Sequence, residues 1–165
     1  PPERVPDSVG HVRRGRWVIV LRTFSKIYGL AGLRIGYGIA TPSMAELLDR
    51  ARAPFNVNAL AQRAALAALD DEEHVANSRR INEQGREYVS TELGRLGLSF
   101  APTVANFLLV DLKRDGHAVA QALLREGVIV RPMGGRQLAT LVRVTIGTPQ
   151  ENERFIAALR KVVRP

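Results

Sequence analysis

Apolar positions along this chain come in two patterns, short unbroken runs and helical spacings, and the two alternate. The run WVIVL at 17–21 is rich in β-branched side chains and predicts a strand buried on both faces of a sheet flanked by helices. Polar RTFSK follows, then a glycine-rich segment, and RIGYGIA at 34–40 predicts a second strand. Thr41 and Pro42 supply an N-cap and a first-turn proline for a helix to about Arg52, which Pro54 stops. Asn58 is placed to cap an alanine-rich helix through Leu69. DDEE then opens a long helix. Asp70, three residues before Glu73, suggests a capping box, and the acids lie at the positive end of the helix dipole. Gly97 is expected to end this helix just after Leu96.

Beyond Gly97 the pattern becomes strand, helix, strand. LSF at 98–100 and ANFLLVDL at 105–112 read as strands, and HAVAQALLREG reads as a helix closed by Gly127. VIVR at 128–131 and LVRVTI at 141–146 predict two further strands. The last helix opens on TPQE, with Thr148, Pro149 and Glu151 at the offsets of N-cap, first turn and capping-box partner. No internal repeat or low-complexity linker interrupts the chain. The expected class is α/β, with a boundary near Leu69 that separates 1–69, built on buried strands, from 70–165, with a small sheet of its own.

Composition narrows the partners. At 165 residues and 45% hydrophobic, the chain can bury a core. It has no apolar run near the ~20 residues a membrane helix needs. PPERVPDSVGHVRRGR at the start lacks the hydrophobic centre of a signal peptide, so a cytoplasmic protein with no membrane partner is expected. With zero cysteines there are no disulfides, thiolate metal sites or cysteine nucleophiles, and His11, His74 and His117 are too dispersed to suggest a metal. The net charge of +8 raises the question of nucleic acid. Arginines are spread through nearly every segment, their one cluster is Arg13, Arg14 and Arg16, and aromatics are only 5%, so no nucleic-acid partner is expected.

Against 21 arginines there are three lysines, and one of them, Lys26, lies within TFSKIYGLAGLRIGYG. Sheets of this class present ligands at the carboxyl ends of strands, where Lys26 is predicted to sit. Glycines 29, 32, 36 and 38 allow close backbone approach and positive φ, while Thr23, Ser25 and Arg34 are donors suited to a phosphate. On the pattern alone a surface lysine in a flexible loop is the better fit, and a GxxxxGK[ST] loop does not match, because this lysine precedes the glycines. Arg143 is the second candidate. In LVRVTI the residues Val142, Val144 and Ile146 share one strand face, which puts Arg143 on the other with Leu141 and Thr145. Such an arginine is either the partner of an anion or an exposed edge residue.

RTFSKIYGLAGLRIGY resembles the pyridoxal-phosphate lysine segment of class I/II aminotransferases, and the histidinol-phosphate aminotransferase family in particular. The resemblance continues in the family's order through APFNVNALAQ, NFLLVDL, GVIVRPMGG and LVRVTIGTPQEN. It implies an α/β architecture of fold type I. Residues 1–69 would be the C-terminal part of the large domain that binds pyridoxal 5′-phosphate, and 70–165 the small C-terminal domain. It further implies that Lys26 is the covalent anchor of the cofactor and the base that moves the substrate α-proton, tasks an amine can perform when neutral. Arg34, with Thr23 and Ser25, would hold the cofactor phosphate. Arg143 would clamp the substrate α-carboxylate, and Arg131 would reach its distal phosphate, the looser correspondence of the two.

The implied reaction converts histidinol phosphate and 2-oxoglutarate to imidazole acetol phosphate and glutamate, in histidine biosynthesis, carried out by a homodimer. An aromatic-amino-acid aminotransferase of the same fold and a non-catalytic module are the alternatives. The family's aspartate to the ring nitrogen and its nearby tyrosine precede the lysine. Here the only acids before Lys26 are Glu3 and Asp7, with no tyrosine, so residues 1–165 by themselves are expected to have little or no transaminase activity.

Overall fold

The computed structural model describes residues 6–163, and Glu3 therefore lies outside the described residues. A short helix, α1 (Ser8–Arg13), comes first, capped by Asp7 Oδ1, which accepts from the Gly10 N–H at 2.8 Å. Strands β1 (Val20–Thr23) and β2 (Gly36–Ile39) form an antiparallel ribbon in register from Val20↔Ile39 to Thr23↔Gly36. This corrects the expectation for 17–21. Only Val20 and Leu21 of that run are in the strand, Val20 is its one buried residue, and Trp17 and Leu21 are 73% and 75% exposed. A two-stranded ribbon has no layers above and below it, so an apolar run suited to a sheet interior remains uncovered among the described residues.

Three helices follow. In α2 (Pro42–Ala51), Pro42 takes the first turn and Thr41 the N-cap position, but the Thr41 hydroxyl makes no cap bond and lies 3.5 Å from Ser43 Oγ. In α3 (Ala59–Leu69), Asn58 Oδ1 accepts from the Ala61 N–H at 2.8 Å. The cap of α4 (Glu72–Arg95) is Asp71, whose Oδ1 accepts from the His74 N–H at 2.9 Å. Asp70 was the expected cap. It has helical angles (φ −90°, ψ −7°) because it closes α3, and an N-cap needs an extended backbone.

The chain forms two compact units that divide between Ala76 and Asn77, inside α4, where the sequence had suggested a boundary at 69/70. The second unit holds a four-stranded sheet in the order β3-β4-β6-β5, with every neighbouring pair antiparallel. Its strands are β3 (Ser99–Phe100), β4 (Phe107–Asp111), β5 (Arg131–Pro132) and β6 (Leu141–Thr145), with helices α5 (Gly116–Arg125) and α6 (Pro149–Val163) between and after them. One sheet face, Leu108, Val110, Val142 and Val144, is fully buried with Val89 and Leu93 of α4, Leu123 of α5 and Phe155, Ile156 and Leu159 of α6. Each such aliphatic or aromatic side chain contributes roughly 1.5–3 kcal/mol when removed from water.

The predicted VIVR strand shrinks to Arg131 and Pro132. Val128 and Val130 pack on the core while Ile129 is 85% exposed, and Pro132 has no N–H to give the ladder. Gly97 and Gly127 close α4 and α5 with φ of +70° and +77°, the left-handed turn that glycine permits. The α6 capping box forms as the sequence suggested. The Thr148 N–H donates to Glu151 Oε2 at 2.7 Å, and the Glu151 N–H donates back to Thr148 Oγ1 at 3.3 Å. Among the described residues no helix is long and apolar enough to cross a membrane.

Candidate active site

Lys26 lies on the loop 24–35 that joins β1 to β2. Phe24 extends the ribbon by donating its N–H to the Ile35 carbonyl at 3.2 Å, and its ring is 5% exposed. That ring packs on Tyr28 and Tyr37, with centroids 4.9 and 5.8 Å away. Because strand side chains alternate, an inward Phe24 turns Thr23 and Ser25 outward together. Thr23 Oγ1 accepts from the Ser25 N–H at 3.0 Å and donates to Ser25 Oγ at 2.9 Å, which brings the two hydroxyls side by side immediately before the exposed Lys26. The turn then closes on itself: the Lys26 and Phe24 carbonyls accept from the N–H groups of Gly29 and Leu30 at 2.9 and 3.0 Å.

Arg34 ends a 3₁₀ turn, Ala31–Leu33, in the left-handed region at φ 53° and ψ 57°. A non-glycine residue held there costs about 1–2 kcal/mol, and such strain gathers at functional sites. Its Nη1 donates to the Ala31 carbonyl at 2.7 Å, which uses one of the five N–H donors of the guanidinium. No described bond joins Arg34 to Thr23 or Ser25. The ribbon register, which pairs Thr23 with Gly36, sets Arg34 at the start of the return strand. Gly36 is required there, since a Cβ would meet the Arg22 carbonyl oxygen at 2.6 Å. Two adjoining hydroxyls, a guanidinium and a primary amine on one hairpin form a donor set suited to a phosphorylated aldehyde.

The other two predicted residues belong to the second unit. Val142 and Val144 are buried at 1% and 4%, and Arg143 lies half-buried on the opposite face of β6. It stands directly across from Leu109 of β4 and Arg131 of β5, with its Cζ 5.4 Å from the Phe107 ring centroid. Two like charges opposed across strands repel, and an anion bound at that face would remove the cost. Among the described residues neither arginine has an ion-pair partner. Asp111 of β4 serves the neighbouring turn instead. The Lys113 N–H, donating at 2.9 Å, and then the Thr140 hydroxyl hold its carboxyl below the ordinary value. Among the described residues no cluster of three or more His, Asp or Glu side chains is arranged to hold a metal ion.

Two contributions escaped the sequence reading. Phe24 anchors the lysine loop, and its place between two hydroxyl residues was the available signal. His74 reaches the same loop, with Nε2 3.0 Å from the Ile27 carbonyl oxygen, although 47 residues separate the two and no local pattern marks the pair.

The chain matches the family Aminotransferase class I and II over residues 3–159. It is 54% identical to the histidinol-phosphate aminotransferase of Moorella thermoacetica over 98% of its own length and 42% of that protein. It is 50% identical to histidinol-phosphate aminotransferase 2 of Pseudomonas aeruginosa, over 98% and 44%. Among solved structures it resembles the histidinol-phosphate aminotransferase of Sinorhizobium meliloti in complex with pyridoxal-5′-phosphate, with TM-score 0.79 and 33% identity over 89% of this chain and 41% of that one. The enzyme of Clostridium acetobutylicum gives TM-score 0.88 and 26% identity, over 99% and 50%. The chain spans less than half the length of these curated relatives.

Proposed function

The chain belongs to the class I and II aminotransferases and has their fold type I architecture, and on that premise we propose that it serves a pyridoxal-phosphate-dependent histidinol-phosphate aminotransferase. The observation that carries this reading is the pair of touching hydroxyls, Thr23 and Ser25, set directly before Lys26 on a loop pinned by Phe24. The likeness to relatives named for that activity supports the choice of substrate. The reaction would pass the amino group of histidinol phosphate to 2-oxoglutarate, giving imidazole acetol phosphate and glutamate. A cytoplasmic homodimer is part of the same reading.

The cofactor, when bound, supplies an electron sink for negative charge at the substrate α-carbon. Thr23, Ser25 and Arg34 would hold its phosphate, two of them as hydroxyl donors and one as a charged fork. Lys26 would anchor its carbonyl carbon, and the same amine, when free, would take and return the proton at the substrate α-carbon. Arg143, with its plane steadied over Phe107, binds the α-carboxylate in two parallel hydrogen bonds, and Arg131 meets the phosphate at the far end of the substrate.

Turnover of histidinol phosphate and of phenylalanine by the natively expressed polypeptide, each with 2-oxoglutarate, tests the reading. Histidinol phosphate is expected to give the higher kcat/KM, and Lys26→Ala is expected to lower kcat by more than ~10²-fold. A preference for phenylalanine would assign an aromatic-amino-acid aminotransferase instead, and undiminished turnover by Lys26→Ala would end the case for that lysine.

A further inference from the structure

The loop that carries Lys26 is exposed, and its described backbone bonds are local. Gly29 to Lys26 and Leu30 to Phe24 fix the shape of the turn but not where the turn is held. Phe24 secures the chain two residues before the lysine. On the other side of the lysine, the Ile27 carbonyl lies 3.0 Å from His74 Nε2. His74 is itself well placed to act as a strut. It sits in the first turn of α4, a helix of 24 residues, and its N–H donates to Asp71 Oδ1 at 2.9 Å in the helix cap. Its imidazole has two side-chain torsions, so ordering it costs less entropy than ordering a lysine or arginine that could also donate to a carbonyl.

We propose that His74 is a positioning residue for Lys26, fixing the carbonyl just beyond the lysine so that the ε-amine is presented at one place. The proposal rests on the reading of Lys26 as the residue that anchors the cofactor. A carbonyl oxygen can only accept, so Nε2 must carry the proton. Position matters because a displacement of about 1 Å can cost on the order of 10²-fold in an oriented reaction. A single hydrogen bond at an exposed site supplies a smaller share, about three- to tenfold.

The chain's three lysines provide an internal control. The natively expressed polypeptide is treated with limiting pyridoxal 5′-phosphate and borohydride, and labelling of Lys26 is read relative to Lys113 and Lys161 by peptide mass. His74→Leu keeps bulk but loses the donor, and is expected to lower the Lys26 share three- to tenfold. His74→Gln, whose amide nitrogen reaches close to the position of Nε2, is expected to stay within about twofold of the parent, with ¹⁵N spectra of the parent showing Nε2 protonated. An unchanged share in His74→Leu, an equal loss in His74→Gln, or an unprotonated Nε2 overturns the proposal. If Lys26 in the parent labels no faster than Lys113 and Lys161, the assignment of Lys26 itself fails, and the role of His74 falls with it.

Discussion

Arg143 shows what one residue can and cannot reveal in advance. Period-two alternation was enough to assign its face, and Val142 and Val144 are indeed in the core while the arginine is not. That it faces Arg131 and lies over Phe107 follows from strand register, which no single strand encodes. Lysine in its place would keep the charge but lose the planar fork and its stacking on the ring. Arg143→Lys is therefore expected to raise KM for histidinol phosphate and for 2-oxoglutarate by roughly ten- to a hundredfold, the worth of a charge-assisted bond. Pyridoxal-phosphate labelling of Lys26 should be unaffected. Steady-state kinetics with unchanged KM for both substrates would show that the carboxylate is bound elsewhere. Lys26, Thr23 and Ser25 were legible as a motif, but the inward Phe24 that pushes the two hydroxyls together was seen only in the fold.

Helix ends were more legible than strands. Caps are local: Asn58, Pro149 and the Thr148–Glu151 box all act within a few residues of themselves, and the structure places each as the sequence suggested. Two caps differ: the Thr41 hydroxyl makes no cap bond at α2, and at α4 the cap is Asp71 and not Asp70 because the preceding helix claims Asp70 for its own end. Strands depend on neighbours, and 17–21 and 128–131 are short of the predicted strands because few partners pair with them. The α6 box has a pH signature. Donation first from the Thr148 N–H and then from its hydroxyl holds the Glu151 carboxyl below its ordinary value, against a weak opposing desolvation. A depressed folded value means that its stabilisation is present above the unfolded pKa, about 4.3, and is lost as pH falls through the folded one. Parent and Glu151→Gln melting temperatures should differ at pH 7, with the parent higher, and the gap should close as acid protonates the Glu151 carboxyl. A gap that widens on acidification would contradict the assignment.

At the scale of the whole molecule, the second unit is tied together by a carboxylate that the sequence presents as one more polar residue on a charged helix. Glu92 of α4 is buried, its side chain 6% exposed, and it bridges Arg95 of its own helix and Arg160 of α6. Both arginines are about half exposed or more, so removing the acid leaves them free to turn to water rather than stranded. The cost of Glu92→Gln should accordingly fall below the 3–5 kcal/mol typical of a broken buried pair, at about 1–3 kcal/mol. Urea unfolding measures it, and a loss under about 0.5 kcal/mol would mean that the bridge contributes little. The sequence by itself determined the α/β class, the caps of α3 and α6, the face of Arg143 on β6 and the lysine motif, because each is written in residues a few positions apart. Only the tertiary structure decided the opposition of Arg131 and Arg143, the Glu92 bridge and the reach of His74 to the Lys26 loop. Those contacts join positions that are remote along the chain, and only chain closure brings them within hydrogen-bonding or pairing distance.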